Sequence, residues 1–309
     1  MEFQRPVIMI SLIVITLGLC LFEAVSSLDN AIINAEVLST MQERARRWFL
    51  LWGMLFAVFF VRGFLPWLIV WVSVPGIGFF DAFTAFFSGD PAVKESIEKS
   101  APFLLMGGGI FLLFLFLHWV FLEPKSYGLA IEPFFEKRGV WFYSIVSIVL
   151  LVTVWYAMKI DSMLGFAAVV GSTTFFITHG FKSQAEEAEK SLSTKKMTDI
   201  AKIMYLEVID LTFSIDGVLG AFAFTLIIPI ILIGNGLGAI LVRQLTIKNI
   251  DTLKKYVFMK NGAMYSIMFL GVIMMMSGFG IHIPHWLSPL VTVLVILYFF
   301  LKSKKTLAY

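Results

Sequence analysis

The chain has 309 residues, of which 59% are hydrophobic and only 15% charged, with a mean hydropathy of +0.89. So few charges cannot cover that much apolar surface in water, and the repeated runs of about 18 or more apolar residues read as transmembrane helices. Cys20 is the single cysteine, which excludes an intrachain disulfide and any Cys-based zinc or copper(I) site.

In chain order, nine spans are expected in one transmembrane domain over 1–309, an all-α polytopic helical membrane protein. The first runs from about Val7, through a polar patch at Glu23–Asn30, to about Leu38. That is too long for one straight crossing of a core of about 30 Å, so tilt or a break is expected. No small-x-small cleavage pattern closes its apolar start, so it reads as part of the mature chain. Span two is Trp48–Val72, with Arg62 in its interior. Residues 73–100 read as an external loop carrying a short surface helix. Spans three to five follow at 101–122, 140–158 and 162–181. A mixed-charge linker, 182–199, precedes spans six to nine at 200–224, 226–245, 256–279 and 286–301.

Lysine and arginine orient this arrangement. With the N-terminus outside and the C-terminus inside, the cytoplasmic segments carry 17 Lys and Arg and the opposite side carries 4. That bias satisfies the positive-inside rule, and a count of spans changed by one scrambles it. A multi-pass protein of a bacterial-type inner or plasma membrane is expected, with the lipid bilayer as a partner and no nucleic acid.

Two polar patches interrupt the apolar spans. Ser27-Leu28-Asp29-Asn30-Ala31 and Ser214-Ile215-Asp216-Gly217-Val218 share one pattern, and each follows a glutamate on its own segment, Glu23 or Glu207. The two segments cross in opposite directions, as in an inverted-topology repeat of about 7–181 and 200–301. Glu23, Ser26, Ser27, Asn30 and Asn34 form one helical stripe. Glu207, Asp210, Ser214, Gly217 and Ala221 form another. Asp29 and Asp216 fall off those stripes, and they are expected to approach each other near the bilayer midplane.

Five acids in the membrane would cost about 12–18 kcal/mol on insertion scales before any pairing. Only Arg62 is plainly intramembrane and basic, so the acids must bind cations or protons or face water. Carboxylates with Asn and Ser oxygens are hard ligands, suited to Mn²⁺, Ca²⁺ or Mg²⁺. Closely spaced carboxylates also allow exchange of metal for protons.

Glu23-x5-Asp29-Asn30, Glu207-x2-Asp210-x5-Asp216 with Ala221-Phe222-Ala223, Asn235 with Arg243, and Ile283-Pro284-x-Trp286-Leu287-Ser288 resemble the TerC family. That family is named for tellurium resistance and is related to the LysE-type transporter superfamily. The resemblance implies an exporter of manganese, or of divalent metals more broadly. It carries over Glu23, Asp29, Asn30, Glu207, Asp210 and Asp216 as metal ligands. Ser26 stands where the family usually has an apolar residue and Gly217 where Ser is common, which marks a divergent branch.

Ser27, Asn34, Arg62, His179, Ser214 and Asn235 are supporting or gating candidates. Arg62 reads equally as a counter-charge for the empty site or a static salt-bridge partner. For His179, an interfacial histidine bonded to a backbone carbonyl competes with a ligand or proton relay, and His118 reads as structural. Asn235-Gly236-Leu237-Gly238 reads as a helix interruption or as close helix packing.

No enzymatic activity and no prosthetic group are expected, the bound species being the transported Mn²⁺ or Ca²⁺. Two alternatives belong to other classes. One is a non-transporting scaffold in metal stress. The other is an intramembrane aspartyl hydrolase, for which Asp29 and Asp216 lack the Gly-x-Gly-Asp context.

Overall fold

Apolar runs closed by prolines, glycines and charged turns fold into helices. The computed structural model describes residues 4–28, 31, 37–38, 41–53, 56, 64, 67–68, 71, 76, 78–81, 91–125, 128–192, 198–253 and 255–307. Among them, α1 is Gln4–Ser26, and α2 (Glu43–Trp48) runs into a π-helical turn, Phe49–Gly53. Then come α3 (Pro91–Leu122), α4 (Glu132–Glu136), α5 (Trp141–Ala157) and α6 (Ser162–Leu192). The last four are α7 (Asp199–Ala221), α8 (Ile228–Leu253), α9 (Met259–Gly278) and α10 (Leu287–Leu307). No strand occurs among the described residues.

Six helices, at Met9–Ser26, Glu98–Leu122, Ser162–Phe181, Ile228–Leu245, Met259–Gly278 and Leu287–Thr306, are long and apolar enough to cross a membrane. The shorter apolar helix Trp141–Ala157 lies between them in sequence. The outward faces are correspondingly apolar, with Leu151 69% and Phe166 62% exposed. The protein is an all-α polytopic membrane protein.

Two sequence expectations change. The tail of the expected external loop is not a separate surface helix, because helix starts at Pro91 and runs unbroken to Leu122. Proline suits a first helical position, and Glu95 pairs with Lys99 one turn later at 2.7 Å. The expected boundary at Ala101 reflects only the change in hydropathy there. The 182–199 linker is helical in its first part, since α6 continues to Leu192, about 16 Å past Phe181. Past Ser26, where α1 ends, Ser27 N–H donates to Glu23 O at 3.0 Å and Ala31 N–H to Ser27 O at 2.9 Å, while Asp29 and Asn30 of the polar patch lie outside the described residues. Most of expected span two lies outside the described residues.

Ends expected on one side of the membrane meet. At the ends expected to lie inside, Lys260 pairs with Glu123 at 2.8 Å, Phe258 N–H donates to Ser303 Oγ at 3.0 Å, and Gln42 N–H donates to Asp199 Oδ2 at 3.2 Å. At the opposite ends Ser288 Oγ donates to Ala223 O at 2.6 Å.

Helix α3 is the central strut, with Met106, Ile110, Leu112 and Phe114 fully buried between α6 and α9. Small residues allow this approach. A Cβ at Gly171 would fall onto the Gly107 carbonyl, and one at Gly109 would lie 2.9 Å from the Gly271 carbonyl oxygen. Below the strut, Lys125 caps α3 by donating to the carbonyls of Trp119 (2.7 Å), Val120 (3.0 Å) and Glu123 (3.0 Å). Burial pushes its ammonium down from the ordinary lysine range, against the pull of Glu136, Glu132 and Glu123.

Beside it, Glu132 is 0% exposed. Its oxygens accept from Asn261 Nδ2 at 3.1 and 2.9 Å, and it is also hydrogen-bonded by the Tyr265 side chain. This latch ties α4 to α9. The surrounding loop reads in sequence as an ordinary charged turn, so nothing there announces a buried carboxylate.

Two stability outcomes follow. Gly171→Ala forces α6 off α3 and costs about 1–3 kcal/mol, lowering the thermal midpoint in detergent. Gly180→Ala, with open space around its Cβ, leaves the midpoint unchanged. Equal midpoints for the two variants contradict this packing. Glu132→Ala strands buried Asn261 and Tyr265 donors at about 1–3 kcal/mol each, so a midpoint equal to the parent's means the latch carries no stability.

Candidate cation site

Helix α1 lies along α8, and the two approach closely because α8 presents glycine every fourth residue. A Cβ at Gly234 would lie 2.5 Å from Leu19 Cβ, and one at Gly238 would lie 2.7 Å from Glu23 Cβ and 3.0 Å from its Cγ. From the other side α7 contributes Gly217, where a Cβ would sit 2.5 Å from Glu23 Oε2. The Glu23 carboxylate is therefore wedged between two glycine surfaces, only 1% exposed. Any side chain at Gly217 would displace it.

The groups around the wedge are oxygen-rich. Ser27 Oγ, one turn along α1, donates to Glu23 Oε1 at 2.6 Å. Asn235 of α8 is 0% exposed, and its Nδ2 donates to Gly217 O at 3.4 Å. Its Oδ1 is buried and accepts no hydrogen bond among the described residues. An acceptor left so costs about 1–3 kcal/mol, and a cation or a water would relieve it. Ser214, one turn before Gly217, is buried too. Asp216 stands next to Gly217 in sequence and is partly buried.

Of the candidates from sequence, Glu23, Ser27 and Asn235 converge on Gly217, with Ser214 and Asp216 on the same stretch of α7. Glu207 does not join them. It sits ten residues back, roughly 15 Å along the helix axis, where its Oε1 presses on Gly53. Its two oxygens are shielded from solvent there. The acids of α7 are thus strung along the helix and not gathered at one point.

Asp29, Asn30, Asn34 and Arg62, and the side chain of Asp210, lie outside the described residues, as therefore does the expected meeting of Asp29 with Asp216. Among the described residues no three His, Cys, Asp or Glu side chains form a group able to hold a metal ion. The described part of the site is one carboxylate with neutral oxygen donors.

His179 belongs elsewhere. Its ring lies 3.7 Å, centroid to centroid, from that of His118 and stacks on Phe175 at 5.6 Å, while His118 also meets Phe142 edge-on at 5.5 Å. Sequence reasoning treated the two histidines separately, and their separation in the chain gives no sign of the contact. Gly238 was also missed as a wall of the site. Its spacing from Gly234 is the small-residue pattern of tight membrane packing and was the available signal.

No curated protein and no solved structure matches this chain. The model of a family described as "Protein of unknown function (DUF475)" matches residues 28–306. That stretch includes Asp29, all of α7 and Asn235 of α8, and begins five residues after Glu23. Because the match covers most of the chain, the protein belongs to the DUF475 family.

Proposed function

We propose that the protein is a transporter that exports a divalent metal cation, manganese in the first place, across the membrane by way of the Glu23 wedge, in exchange for protons. The observation that carries this reading is the buried carboxylate held between α1, α7 and α8 beside the unsatisfied Asn235 oxygen. A carboxylate inside a span is costly unless it binds a cation, carries a proton or meets water. The donors at hand are oxygens, the ligand type that Mn²⁺, Mg²⁺ and Ca²⁺ prefer. The resemblance of the acidic motifs to the TerC family supports the same ion class, and the charge bias supports an N-out, C-in orientation in a plasma-type membrane.

In this reading the protein holds the ion by Glu23 with Asp216, Asp29 and Asn30 as further ligands, and Asn235 supplies its amide oxygen. Glu207 and Asp210 form earlier steps on the inner half of α7. The glycines at 217 and 238 let the carboxylate stand against backbone without a side chain between. Protons replace the metal on the same carboxylates during the return step.

Purified protein in liposomes loaded with a Mn²⁺-sensitive dye tests the proposal. Glu23→Gln lowers Mn²⁺ flux by roughly tenfold or more, and Asn235→Ala weakens apparent metal affinity by about ten- to a hundredfold. Parental flux in Glu23→Gln removes this carboxylate from the mechanism. A parallel Ca²⁺ measurement decides between the two ions, and flux of neither removes the transport reading altogether.

A further inference from the structure

The inner half of α7 is crossed by a short segment that sequence reading passed over as the start of a span. Residues 41–53 are tied to α7 at three points. Gln42 N–H donates to Asp199 Oδ2 at 3.2 Å in the first turn of α7. Met41 and Phe49 pack with Leu206 in one buried cluster that also takes in Val37 and Leu38. Gly53, at the end of the π-turn, presses directly on Glu207 Oε1. The first and last ties are eight positions apart on α7, about 12 Å of helix.

The segment is two-faced. Its inward side is Phe49, 0% exposed, with the Arg243 guanidinium of α8 over its ring at 4.6 Å. Its outward side shows Arg44, Arg46, Arg47, Trp48 and Trp52, all exposed. The π-turn, a geometry found most often at functional positions, brings Gly53 round to the carboxylate. A Cβ there would lie on the Glu207 Oε1 position, so a side chain at 53 would push the carboxylate aside or lift the turn.

We propose that residues 41–53 form a strap that closes Glu207 off from the inner aqueous phase, and that a divalent cation reaches Glu207 only when the strap lifts. The strap rests on geometry alone. Its assignment to cation entry rests on the transport reading above, with α7 carrying its acids from the inner end outward. Lifting needs no refolding of α7: it releases the exposed hydrogen bond at Asp199 and peels Met41, Phe49 and Gly53 from the helix face. Arg243 contacts the strap through Phe49 and links its position to α8, the helix that also walls the Glu23 wedge.

Carboxyl labelling tests this on the full-length protein in detergent. A water-soluble carbodiimide with an amine nucleophile is applied, and labelling at each acid is read by peptide mass spectrometry. In the parent, Glu207 stays unlabelled while exposed Glu43 and Glu95 react. Gly53→Ala raises labelling of Glu207 several-fold, and buried Glu132 stays protected. Should Gly53→Ala expose Glu132 as well, the fold is lost and Asp199→Ala, which cuts the exposed tie, serves instead with the same expected rise.

Labelling of Glu207 in the parent as fast as that of Glu43, or no rise in either variant, overturns the strap. Mn²⁺ added to the opened variant separates the two readings. Protection of Glu207 supports cation entry there, whereas a raised but Mn²⁺-insensitive rate keeps the strap and overturns its assignment to metal entry.

Discussion

The structure turns on one buried carboxylate. Glu23 stands on α1 where Gly217 of α7 and Gly238 of α8 leave it room, with Ser27 holding one of its oxygens at 2.6 Å. A charge-bearing group in that position would be expelled from an ordinary helix interface, because taking a carboxylate out of water costs several kcal/mol even after relaxation. Its retention constrains everything around it. Helices α7 and α8 must each present glycine to the Glu23 side chain, and an amide oxygen remains nearby with no hydrogen bond of its own among the described residues.

That constraint explains the distribution of small residues. Glycines at 234 and 238 bring α8 onto α1, while a separate set at 107, 109, 171 and 271 draws α3, α6 and α9 together. The second set forms a strut with an apolar core, closed at one end by the Glu132 latch and the Lys125 cap. The first set surrounds polar groups. One part of the molecule is thus packed around an apolar core, and the α1–α7–α8 part is packed around the buried polar side chains of Glu23 and Asn235. The break at 222–227 between α7 and α8, pinned to α10 by Ser288, lets those two neighbouring helices run back past each other.

Much of this was legible in the residues. Hydropathy locates the apolar helices, because the bilayer imposes length on composition; among the described residues six are long and apolar enough to cross, and α7, the expected span six, is not one of them. Glu23 and Asn235 stand out since polar side chains in apolar spans are expensive. Three features were not legible. The helix from Pro91 into span three, and α6 beyond Phe181, continue through polar residues, where hydropathy marks a boundary and backbone hydrogen bonding does not. The single-cluster picture of the acids failed for Glu207 because a helix rises about 1.5 Å per residue, so ten residues on one face are a column and not a cluster. Contacts across the chain, such as His118 with His179 or Gly53 with Glu207, depend on packing that no local pattern encodes.

The account stands or falls on where the cation sits. Crystals equilibrated with Mn²⁺ allow the ion to be located directly by its anomalous scattering. The account predicts a peak within about 2.6 Å of the Glu23 carboxylate, in the wedge beside Asn235 and level with Gly217. A peak elsewhere with that wedge left empty, at Mn²⁺ concentrations that saturate flux, would contradict it.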